Sequence, residues 1–165
     1  MYFSLDYIFS QIFVILYYII YSYTYHLNDK NKILRVGIYA TIINSISYIL
    51  LNAYTGMMMC IVSITRNILF NKKNKTKKSL IIIIILTFFG SLLTYTNIFC
   101  LFNIIATLIY TYALWQNNTK TYKFLGIIVN LLMIIYNIYI KSFFGILLLI
   151  ISFISSLIGY LTEKY

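Results

Sequence analysis

Acidic residues are nearly absent. Asp6, Asp29 and Glu163 are the only three in 165 residues, and each lies near the edge of an apolar run. No pair of carboxylates is buried in such a run, which excludes general acid–base chemistry between them and carboxylate metal sites. The single histidine, His26, makes no dyad, and serines such as Ser45, Ser47 and Ser63 have no base at a workable spacing for nucleophilic catalysis. Cys60 and Cys100 form no CxxC pair and sit within apolar runs, so neither a disulfide framework nor a zinc site is expected. They are read as packing thiols. No catalytic residue, cofactor, metal or enzymatic activity is expected.

Charge is scarce as well, at 10% of residues against about 25% in soluble domains. What fills the chain is apolar: 62% of it, with a mean hydropathy of +0.88. Polar stretches between apolar runs are too short to form a soluble domain, so residues 1–165 are read as one integral membrane domain. The net charge of +10 does not imply nucleic acid, because the lysines occupy short segments beside apolar runs. That is the pattern of juxtamembrane loops on the anionic, cytoplasmic side of a bacterial inner membrane.

The expected fold class is all-α, with seven transmembrane helices. Apolar runs span 8–25, 34–51, 54–70, 79–94, 98–115, 122–140 and 143–161. The start lacks the positive charge and small-residue cleavage site of a signal peptide, so the first run is expected to remain as a spanning helix. Of the 13 lysines and arginines, 11 fall in the loops or tail on one side if the N-terminus is outside and the C-terminus inside; Lys141 faces outward.

An offset of 89 residues aligns Gly37 with Gly126, Gly56 with Gly145, Tyr21 with Tyr110, Tyr23 with Tyr112 and Ser63 with Ser152, without a gap. The chain therefore reads as two parallel helix triplets, 8–70 and 98–161, joined by an inverting helix over 79–94, a 3+1+3 plan.

Asparagines inside apolar runs are costly in lipid unless they pair or face a wet space. Asn44, Asn103, Asn130 and Asn137, with Tyr48 and Tyr136, are the candidates for binding a small solute through amide hydrogen bonds and ring contacts. Bridging between helices is the alternative for each. Arg66, one turn before the basic run Lys72 to Lys78, is expected to snorkel to the inner surface. With Asn67, it is the candidate for an anion or lipid contact at the inner mouth.

The stretch YILLNAYTGMMMCIVSITRNILFNKK resembles the YgjV-type bacterial inner membrane proteins, which share an LLGAYTGA-like turn and a helix ending in Arg-Asn before a basic loop. TLIYTYALWQNN, Thr107 to Asn118, is similar to the family's second copy of the first helix. Asn52 and Met57 to Met59 stand where such proteins often carry small residues. The resemblance implies the general plan of small carriers built from two triplets, and no substrate motif transfers with it. A carrier for a small neutral or zwitterionic metabolite is the expected function; a non-transporting scaffold or partner-binding protein is the alternative. The expected partners are the bilayer, anionic phospholipid head groups, a small-molecule substrate and, as an open case, a second copy of the chain.

Overall fold

A computed structural model describes residues 4–71 and 76–162. Seven α-helices follow one another: α1 (Leu5–Thr24), α2 (Lys30–Leu50), α3 (Tyr54–Phe70), α4 (Lys77–Thr94), α5 (Phe99–Trp115), α6 (Thr119–Tyr139) and α7 (Phe143–Thr162). The chain has no proline, and each helix runs unbroken. Five are long and apolar enough to cross a membrane; α3 and α5, at 17 residues each, are shorter apolar helices. Seventeen residues rise about 26 Å, at the lower limit for a hydrocarbon core of about 30 Å. Part of the basic run, residues 72–75, and the C-terminal Glu163 and Lys164 lie outside the described residues.

Four helices, α1, α2, α4 and α6, begin earlier than their apolar runs, two of them from caps within polar loops. Asp29 accepts a hydrogen bond from Asn31 N, and Asn118 accepts one from Lys120 N, both at 2.8 Å. These N-caps satisfy a free amide of the first turn and start α2 and α6 inside the polar loops. The expected loop His26 to Arg35 is thus mostly helix.

The two tight turns share one geometry. Asn52 and Lys141 are the non-glycine residues with positive φ, at 54° and 56°. In the first, Ala53 N donates to Tyr48 O at 2.9 Å; in the second, Ser142 N donates to Asn137 O at 3.0 Å. These are helix C-terminal closures with a left-handed residue at the corner.

Around the bundle, α1 packs on α2, α2 on α3, α3 on α5, α5 on α6, α6 on α7, and α7 back on α1. Six helices form a closed ring, while α4 leans on α3 and α5 from outside. Small side chains line the α1–α7 seam: Ser22 and Ser152 share a hydrogen bond at 2.5 Å, and Ser155 Oγ donates to Ser22 O at 3.2 Å.

Polar side chains are buried beside the apolar core, and many large apolar ones face outward. Ser10, Gln11, Asn44, Asn67, Asn103 and Asn130 are buried, while Ile81, Ile82, Ile84, Ile85, Phe88 and Phe89 of α4 are exposed. Apolar side chains outside and polar ones within suit a surround of lipid, because only the interior can supply hydrogen-bond partners.

Candidate functional site

A cavity of about 80 Å³ lies in the middle of the ring. At 10–15 Å³ per water, it holds about half a dozen. Every ring helix contributes to its wall and α4 does not: examples are Tyr18 from α1, Asn44 from α2, Arg66 from α3, Asn103 from α5, Asn130 from α6 and Leu149 from α7.

The expected site residues divide between this cavity and its surroundings. Asn44, Tyr48, Arg66, Asn67, Asn103 and Asn130 all line it. Tyr136 instead lines a separate cleft at the face carrying Asn52 and Tyr139, with its ring 6.1 Å from that of Tyr48. Asn137 is absent from the cavity wall: its Nδ2 donates to Met133 O at 2.9 Å within α6, and its backbone carbonyl closes the second turn.

Arg66 does not snorkel. It is 2% exposed and turns inward, because α3 places it on the same face as Gly56, Met59 and Ser63, three and four residues apart. Its Nε donates to Asn67 Oδ1 at 3.0 Å and its Nη1 to Thr111 Oγ1 at 3.3 Å. The guanidinium carbon lies 4.9 Å from the Tyr110 ring centroid, within cation–π range.

Tyrosines close the cavity toward the lysine-rich face. Tyr21 and Tyr110 line the cavity, and behind them Tyr25 and Tyr122 are fully buried. The hydroxyls link in pairs: Tyr21 to Tyr25 at 2.8 Å, Tyr110 to Tyr122 at 2.8 Å, and Tyr122 to Thr24 Oγ1 at 2.7 Å. Tyr25 also stacks on Tyr122, centroids 5.4 Å apart. Beyond this layer Tyr25 borders a wider cleft of about 530 Å³, with His26, Asn28, Lys123 and Gly159 around it. At the opposite face the Tyr48–Tyr136 pair stands between the cavity and a cleft of about 170 Å³. The central space is therefore bounded by one aromatic layer on each side.

Reading single positions missed Tyr17, Tyr18, Tyr21 and Tyr110, because tyrosine is so common in this chain. The signal on α1 is spacing: Tyr17 and Tyr21 are four apart, Tyr18 and Tyr21 three, and Tyr21 and Tyr25 four, which places these four along one side of α1 and its cap, while Tyr110 lies on α5.

Among known proteins, the family Imp-YgjV, described as bacterial inner membrane protein, matches residues 8–163. No curated protein and no solved structure matches the chain.

Proposed function

We propose a transport role on one premise: the chain belongs to the Imp-YgjV family of bacterial inner membrane proteins. In this reading all seven helices cross the bilayer, the N-terminus outside and the C-terminus inside, as two parallel triplets joined by α4. It is supported by the offset of 89 residues, which carries the bounds of α2 onto those of α6, Asn52 onto Lys141, and the Ala53–Tyr48 closure onto the Ser142–Asn137 closure. The same operation exchanges the α1–α7 contact with the α5–α3 contact. A pseudo-twofold axis along the membrane normal would run through the cavity.

The protein is read as a carrier for a small metabolite, with no covalent step. One observation carries this reading: a cavity at the ring centre, with Arg66 and four asparagines in its wall, is separated by a tyrosine layer from a cleft at each face. A space of this size suits a few waters, whereas ligand pockets run to about 300 Å³ or more, so admission of a solute requires one layer to part. Anionic phospholipid head groups lie against the lysine-rich face in this orientation.

Flux into vesicles containing only the purified protein tests the carrier. Solute entry above that of empty vesicles is expected for some member of a metabolite panel, and equal entry across the panel leaves the scaffold reading. Orientation is tested by Lys141→Cys and Lys120→Cys in whole cells: an impermeant maleimide should label the first only.

A further inference from the structure

Arg66 is a buried cation with neutral partners. Its contacts are the Asn67 amide, the Thr111 hydroxyl and the Tyr110 ring. The described carboxylates, Asp6 and Asp29, are both exposed. Two of the guanidinium's N–H groups are used, and Nη2 makes no hydrogen bond to any described residue. A desolvated charge without a counter-ion is expensive, and a cation–π contact offsets only part of that cost.

A second observation points into the same space. Asn103 and Asn130 are 3% and 1% exposed and line the cavity with Arg66. Asn103 Nδ2 and Asn130 Oδ1 have no hydrogen-bond partner among the described residues. Buried polar atoms are nearly always satisfied, so each marks a place where something else is accommodated. The three residues that carry one unmet cationic donor, one unmet amide donor and one unmet acceptor thus line a single cavity. The asparagine acceptor calls for a ligand that donates, and the arginine calls for one that is negative.

We propose that the cavity takes a small carboxylate that also bears a hydroxyl or ammonium group, with Arg66 holding the negative charge. This rests on the reading of the cavity as a solute site and narrows it: wholly neutral solutes are excluded, and Arg66 acts inside the cavity and not at its mouth. Asn67 is a positioning residue, because its Oδ1 fixes Nε and thereby aims the remaining N–H groups.

The test is calorimetric titration of the purified full chain in neutral detergent with 2-hydroxypropanoate and with its uncharged amide of nearly the same shape. The carboxylate should bind about ten- to a hundredfold more tightly, the value of a charge-assisted hydrogen bond. Arg66→Gln should remove that preference, and Arg66→Lys should keep part of it. Equal binding of the two probes to the unaltered protein, or no carboxylate binding, overturns the proposal without requiring any variant to fold. So does a preference that survives in Arg66→Gln. Inorganic phosphate and short-chain phosphatidylglycerol, the latter against phosphatidylcholine, form the remaining arms: tighter binding of either overturns the carboxylate assignment, and neither should compete with 2-hydroxypropanoate. Carboxylate binding without flux into vesicles upholds this inference and refutes the carrier. Flux of a neutral solute that carboxylates do not inhibit does the reverse.

Discussion

The turn at Asn52 and the turn at Lys141 agree in backbone angle and in their closing hydrogen bonds, yet the helices that leave them end differently. In α3 the cavity-facing positions near the lysine-rich end are Arg66 and Asn67; 89 residues on, α7 has Ser155 and Ser156. Ser155 engages His26 Nε2 at 2.9 Å and Ser156 donates to Phe153 O at 2.8 Å, so both serve packing. The comparison separates two demands on one sequence. Closing a helix corner needs a backbone geometry, which two unrelated residues can supply. Receiving a charge needs one guanidinium on one side only, and the proposed pairing of triplets is broken there.

The largest expected effect falls on the glycine of α6. A methyl at Gly126 would lie 2.5 to 2.9 Å from ring and hydroxyl atoms of Tyr25, which is fully buried between Tyr21 and Tyr122. Gly126→Ala should destabilise by about 2 kcal/mol, as overpacking of a closed core does, read from thermal unfolding in detergent. The next effect has the opposite sign. Arg66→Met replaces an unpaired buried charge with an apolar side chain of similar length and should raise stability by about 1–2 kcal/mol while removing carboxylate preference. A fall in stability of that size would make Arg66 a structural strut.

Gly37, the counterpart of Gly126, should behave differently. Its added methyl meets the far end of a side chain, Asn67 Nδ2, at 2.8 Å. Gly37→Ala should change the unfolding free energy by less than about 1 kcal/mol, since the amide can shift and helix propensity improves. Carboxylate affinity should fall severalfold in the titration, because Asn67 aims Arg66. Equal destabilisation by both glycine variants would erase the distinction between the halves. The smallest effect is at the corners: Lys141→Gly should stabilise by about 0.5–1 kcal/mol, relieving a side chain held at positive φ. Asn52→Gly should gain less in the same unfolding measurement, asparagine being tolerant of that region.

Much of this is legible in the sequence. Seven apolar runs became seven helices, and the starts moved where Ser4, Asp29, Thr76 and Asn118 cap α1, α2, α4 and α6 ahead of the apolar residues. Hydropathy is blind to such caps, because they are backbone hydrogen bonds and not burial. Asn44, Tyr48, Asn103 and Asn130 converge on one cavity, which their cost in lipid had suggested. Two features were not legible from single residues. Proximity to a lysine run suggested that Arg66 reaches outward, whereas its face is set by Gly56 and Ser63 on earlier turns of α3. Asn137 had the same cost argument as the others, but a carbonyl one turn back satisfies its amide, a partner that no count of polar residues reveals.

The position of α4 has a mechanical consequence. Two joints of the ring, α1 against α7 and α3 against α5, differ in their support: a brace spans only the second, since α4 touches α3 and α5. The first joint is a splice between the chain's first and last helices, closed by hydroxyl contacts such as Ser22 with Ser152. Under the proposed carrier role, opening the ring at the splice would separate one helix pair, α1 and α7, whereas opening it at the other joint would also displace α4.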